Sequence, residues 1–220
     1  MARKIVMRLA HRRRREGRTD YRARLALLKS GQPRLVIRKS LSNMSCQIVI
    51  HGQKGDTTAV AASSKELAGF GWKSGTGNLP AAYLTGLLLG AKAKAAKIET
   101  CIADLGLYTQ TNGSRIYACL KGAVDSGLNI PHSPEIFPAE NRLSGKHIAD
   151  YAAKVKSESQ DKYQSTFSAY ISAGVAPESL PSAFESTKSA ILSGSGAKAA
   201  PKKEAKAADK AEKPKKAKKG

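Results

Sequence analysis

Charge decides where this 220-residue chain can build a core. Residues 1–30 hold eleven Lys/Arg against two Asp/Glu, and residues 197–220 hold ten lysines against three acids. Of the formal net charge of +21, only +5 is left for residues 31–196. Such basic ends cannot be buried, because charge taken out of water without a partner is costly. The core is confined to the middle, and each end faces solvent or a polyanion. The length suits one domain of ordinary size with appendages, or two small ones.

The two ends differ in kind. The front is dominated by arginine, with Arg12, Arg13, Arg14 and Arg15 in a row and Arg18 and Arg22 close behind. The planar guanidinium fork matches phosphate better than the lysine point charge does, so RNA or DNA is the first partner implied. A solvated basic terminus is the plain alternative. Residues 3–15 are expected to lie extended until a partner orders them. Thr19 or Asp20 can cap the following helix, in which Tyr21, Leu25 and Leu28 recur at i, i+4 and i+7. Gly31 and Pro33 end it. This helix is expected to dock by its leucines and show its arginines. The back end is lysine, alanine and proline, and is expected to be disordered in isolation.

Between the ends, residues 33–40, 44–51 and 56–62 are short, β-branched and separated by turn residues, which predicts an antiparallel meander. In residues 34–39 the two alternating sets each mix charge with apolar side chains, which suits a sheet covered on both faces. Residues 65–78 carry four glycines, Gly69, Gly71, Gly75 and Gly77, with Phe70 and the single tryptophan, Trp72. They read as a loop, in which Trp72 is either a core plug or a stacking or docking platform. The glycine spacing is not that of a phosphate loop, since no Gly-Lys-Ser/Thr follows. Asn78 and Pro80 open a helix in which Gly86 and Gly90 permit a close contact. Residues 98–105 predict a fourth strand, and 114–127 a second helix with Ile116, Leu120 and Val124 on one face. The order β-β-β-α-β-α implies an α/β core with a mixed sheet. The proline-crowded stretch 128–147 predicts a surface wrap without regular structure, and 148–156, 158–172 and 177–192 predict further helices. The organisation is then a basic arm and helix over 1–30, a core over 31–130, a wrap with helices over 131–193, and a tail over 194–220.

Catalysis finds little support. Asp56, Asp104 and Asp125 are the carboxylates that a two-metal nuclease on such a sheet would need, but only Asp104 falls at the carboxyl end of a strand. His132 and His147 have no nucleophile beside them, and no Gly-x-Ser-x-Gly elbow is present. Cys46, Cys101 and Cys119 stand far apart in apolar surroundings and read as buried thiols rather than metal ligands. No cofactor is expected. No run approaches the roughly 20 apolar residues of a membrane span.

The stretches RRRREGRTDYRARLALLKSGQPRLVIRKS, GWKSGTGNLPAAYLTGLLLG, IADLGLYTQTNGSRIYACLKGAVDSGLNIPHS and RLSGKHIADYA closely resemble the L18 family of large-subunit ribosomal proteins in its archaeal form. Bacterial L18 and the longer eukaryotic cytoplasmic L5 belong to the same family. The match runs from about Arg3 to Tyr151 and leaves the lysine-alanine tail unassigned. It implies a ribonuclease-H-like core without nuclease activity, placed in the cytoplasm in the large ribosomal subunit. The implied partners are 5S rRNA, the large-subunit rRNA and neighbouring proteins such as L5 in the bacterial and archaeal naming, with 5S rRNA seated in the central protuberance. Carried over by position, the implied RNA-facing residues are Arg12, Arg13, Arg14, Arg15, Arg18, Tyr21 and Arg22 in the arginine stretch. Arg34, Arg38, Ser40 and Asn43 follow at the first strand and its turn, Trp72, Lys73 and Asn78 in the glycine-rich loop, and Arg115 and Lys121 in the second helix.

Overall fold

A computed structural model describes residues 9–194 of the chain, so the lysine-alanine tail and residues 3–8 of the arm lie outside the described residues. In chain order, α1 (Arg12–Arg15) and α2 (Tyr21–Lys29) precede the hairpins β1 (Arg34–Lys39), β2 (Met44–Gly52) and β3 (Gly55–Ser63). A 3-10 helix (Ser64–Phe70) leads to α3 (Leu79–Ala95), β4 (Ile102–Asp104) and α4 (Arg115–Asp125). The remainder is helical: α5 (Glu140–Leu143), α6 (Lys146–Glu158), α7 (Gln160–Thr166), α8 (Ser168–Ser172) and α9 (Leu180–Leu192).

The meander forms as the alternation predicts, with β1 and β2 in register from Arg34–Val49 to Lys39–Met44. β4 joins β1 in parallel, giving a mixed sheet of order β3-β2-β1-β4. Leu35, Ile37, Met44, Cys46 and Ile48 point to one face and are buried there beneath α3 and α4. The expectation of a sheet covered on both faces fails: the opposite face, with Val36, Ser45, Gln47 and Ala61, carries no helix among the described residues. Its mixed charge has another cause, since Arg34 and Arg38 are paired with carboxylates in the plane of that face.

α3 and α4 run parallel and touch backbone to backbone. A Cβ on Gly86 would lie 2.0 Å from the Cys119 carbonyl oxygen, and one on Gly122 would lie 2.1 Å from that of Tyr83. The close contact read from Gly86 and Gly90 is therefore with a helix. α3 is long and apolar all round, as befits a helix with sheet on one side and helices on the other. On the far side α9 supplies Leu180, Phe184 and Ile191 to the same core, while Ala152, Val155, Tyr163 and Phe167 make a small second cluster among α6 and α7 and the turn before α8. All three cysteines are buried and unbridged. Among the described residues no helix is long and apolar enough to cross a membrane.

Three local expectations are corrected. Residues 65–78 are not one loop, because Ser63 and Glu66 form a reciprocal capping box that starts the 3-10 helix. The fourth strand shrinks to Ile102–Asp104, which pairs with Arg34–Val36 of β1, while Thr100 bridges Asn129 and Gly106 at φ +67° turns the chain away. The wrap contains α5, whose Leu143 is buried against the core.

Candidate nucleic-acid interface

The arginine run is not extended. Arg14 and Arg15 donate their backbone N–H groups to the His11 carbonyl, closing one helical turn, and Gly17 at φ +63° turns the chain back. Asp20 then caps α2 by accepting from the N–H groups of Arg22 and Ala23. Side chains tie the turn to the helix: Arg13 Nε donates to Thr19 Oγ1 at 2.8 Å, and the His11 and Tyr21 rings lie 5.1 Å apart. Glu16 pairs weakly with Arg12 and Arg18 at 3.7 and 3.3 Å. The side chains of Arg14, Arg15 and Arg22 have no partner among the described residues, and all six arginines of the stretch are exposed. A preformed turn thus presents several guanidinium groups to solvent.

The docking of α2 is also not as expected. No residue of it is buried, Leu25 is 57% exposed, and Leu27 and Leu28 do not join the core. The helix is held by a polar contact instead. Arg24 Nη2 donates to Asp56 Oδ2 at 2.8 Å, and the same oxygen accepts from Arg34 Nη2 at 2.6 Å. Arg34 Nη1 donates to Asp104 Oδ2 at 2.9 Å, and Asp104 Oδ1 accepts from Arg38 Nη2 at 2.9 Å. The result is an alternating ladder, Arg24–Asp56–Arg34–Asp104–Arg38, running from α2 across the open side of the sheet. Partial burial works to raise the Asp56 pKa, but the hydrogen bonds from His51 and Arg24 and the charges of Arg34 and Arg24 outweigh it and bring it down to about 2.

Two of the implied RNA-facing arginines are therefore committed to the fold. Arg34 is 3% exposed, and Arg38 also donates from Nη1 to the carbonyls of Ile37 and Asp104. Asp56 and Asp104 are likewise occupied by arginine, and Asp125 accepts from Tyr83 Oη and pairs with Lys121, so the three carboxylates do not converge on one another. Arg24, Asp56 and Asp104 as a supporting set were missed from sequence. The one available signal was Arg34 and Arg38 on the same face of a strand, which calls for carboxylates on its neighbours.

Beyond the other end of β1 a second group assembles around the Ser40–Asn43 turn. Thr76 Oγ1 donates to the Ser42 carbonyl at 2.7 Å and bonds Asn43 Oδ1 at 3.0 Å. Arg115 Nη1 donates to the Gly77 carbonyl at 2.7 Å and reaches that of Leu41 at 3.4 Å. Asn78 caps α3 through Ala81 N–H. Ser40, Asn43, Asn78 and Arg115 thus share one corner, with Lys73 exposed beside it. Trp72 is the core plug of the two readings: 2% exposed, with Nε1 donating to the Gly75 carbonyl at 3.2 Å, it offers no free face for stacking. Lys121 stands apart, over the Phe137 ring and paired with Asp125.

The arrangement suits binding of a polyanion at the exposed arginine turn and at this corner. The family model described as ribosomal large subunit proteins 60S L5 and 50S L18 matches residues 6–100 and 90–133. The chain is 50% identical over 192 residues to the large ribosomal subunit protein uL18 of Methanococcus maripaludis, covering 87% of this chain and 99% of that protein. The chain belongs to the family of ribosomal large-subunit proteins that comprises 60S L5 and 50S L18.

Proposed function

We propose that this chain is a structural, non-enzymatic component of the large ribosomal subunit that binds 5S rRNA and helps attach it to the large rRNA in the central protuberance, with a ribonuclease-H-like core as scaffold. The observation that carries this reading is the division of the arginines. Arg24, Arg34, Arg38 and Arg115 are spent on intramolecular bonds, whereas Arg12 to Arg15, Arg18 and Arg22 are exposed on a turn and helix of defined shape. Bidentate phosphate contacts need fixed geometry, so charge held this way binds more tightly per residue than charge without it. The corner of Ser40, Asn43, Lys73 and Asn78, braced by Arg115, is the second contact, to 5S rRNA, the large rRNA or an L5-type neighbour.

The test compares replacement of Arg12 to Arg15 by alanine with deletion of residues 197–220, measuring 5S rRNA affinity over a salt series against a structured competitor of equal length. The arginine variant should lose about a hundredfold or more and flatten the salt slope by about three, while the deletion loses less despite removing more charge. Equal losses, with no preference for 5S rRNA over the competitor, would leave a general RNA-binding accessory protein as the better reading.

A further inference from the structure

The arginine arm has a weak foundation by the usual measures. α2 buries no side chain, its leucines do not reach the core, and its connection to β1 passes through Gly31 at φ +67°. A short exposed helix of this kind pivots about its connector unless something else fixes it. Within α2 the ion pair from Arg24 to Asp56 is the one salt bridge to the sheet among the described residues, and Asp56 is itself immobilised by Arg34 and by His51 Nδ1 at 3.0 Å.

We propose that Asp56 is a positioning residue for RNA binding: it sets the pose of α2 through Arg24, and the side-chain links from α2 to α1 carry that pose to the arginine turn. The proposal rests on the reading that the arm meets 5S rRNA. The links run without a gap, from the sheet to Asp56 and Arg24, along α2, and back to Arg13 and His11 through Thr19 and Tyr21. Each arginine of the arm then reaches phosphate with less ordering left to do on binding. Asp56 is an acid in a strongly basic chain, so on bulk charge alone its removal should strengthen RNA binding. The positioning role predicts the reverse sign. That opposition makes the inference testable.

The full chain is compared with Asp56→Asn, Asp56→Glu and the double variant Arg14→Ala/Arg15→Ala for 5S rRNA affinity at one fixed salt, with amide exchange of α2 and α3 as a second readout. Asp56→Asn should bind about tenfold more weakly, speed exchange in α2 and leave α3 protected, because Arg34 keeps Asp104. Asp56→Glu should recover most of the affinity. Unchanged or tighter binding by Asp56→Asn, while the arginine double variant loses affinity, overturns this inference and leaves the RNA-binding reading standing. Retention of affinity by the arginine double variant overturns that reading itself. Should Asp56→Asn weaken protection in α3, the comparison passes to Arg24→Met against Lys29→Met, which remove one charge each from the same helix. A larger loss for Arg24→Met supports the positioning role, and equal losses overturn it.

Discussion

Asp104→Ala is the sharpest test of the ladder that joins the arm to the sheet. Asp104 accepts from Arg34 at 2.9 Å, from Arg38 at 2.9 Å and from the Gly106 N–H at 3.0 Å. Its loss leaves the Arg34 guanidinium, 3% exposed and with Nε already lacking a partner, dependent on Asp56 alone. Breaking a buried ion pair from one side costs about 3–5 kcal/mol because the surviving charge stays buried. Arg34 keeps one carboxylate, so the lower end applies, about 3 kcal/mol. Arg34→Met is the instructive contrast. It leaves Asp104 with Arg38 and Gly106, and Asp56 with Arg24 and His51, so neither carboxylate is stranded and the cost should stay near 1 kcal/mol. Urea denaturation of the isolated protein resolves the difference, as a midpoint lower by about 1 M or more for Asp104→Ala at unchanged slope. A loss below about 1 kcal/mol for Asp104→Ala, or a larger loss for Arg34→Met, would refute the reasoning that paired carboxylates make burial of Arg34 tolerable. The pair of variants also assigns Arg34. If it serves the fold, Arg34→Met leaves the salt slope of RNA binding unchanged.

Two further outcomes follow from the same geometry. Gly122→Ala should destabilise by about 3 kcal/mol or more, since its Cβ would lie 2.1 Å from the Tyr83 carbonyl oxygen with backbone on both sides; a melting temperature within experimental error of the parent would refute the backbone contact. Asp56, whose pKa falls from the unfolded carboxylate range to about 2, contributes stability that is complete above about pH 4 and is lost as pH falls through 2. An acid titration of the unfolding free energy should therefore be shallower in Asp56→Asn than in the parent over that window, and identical slopes would refute the assignment.

The parts of the fold legible in sequence were those where one local rule acts alone. Short β-branched runs between turn residues predicted the meander, and β1, β2 and β3 form it. Asn78 with Pro80 fixed the start of α3, and it begins there. Where two rules compete, reading failed. The glycines after Ala68 argued for a loop, although Ser63 and Glu66 had the spacing of a capping box, and the reciprocal hydrogen bonds won. β4 looked longer because residues 98–105 are mostly apolar, but only Ile102–Asp104 pair with β1: before them Thr100 bridges Asn129 instead, and after them Gly106 at φ +67° turns the chain away. That one sheet face is left without a helix depends on where α9 and α3 go, which no window of sequence contains.

The interface was legible as charge and illegible as allocation. Arg14, Arg24 and Arg34 carry the same group, and composition or spacing cannot say which faces water. The register of the sheet decides. Arg34 stands opposite Ile102 on β4, which brings Asp104 within its reach, and the β2–β3 hairpin brings Asp56 to its other side. Once both carboxylates are in place, burying the guanidinium is tolerable, and the ladder has one open end, at Asp56. Arg24 fills it, nine residues beyond the arginine run and on the helix where leucines were expected to do the docking. A leucine-docked helix would have its turn-facing arginines fixed by packing, insensitive to salt and acid. A helix docked by an ion pair has a pose that weakens with both. The arm is thus anchored by the same kind of interaction that it offers to phosphate, and its purchase on the sheet should loosen under the high-salt conditions that release RNA.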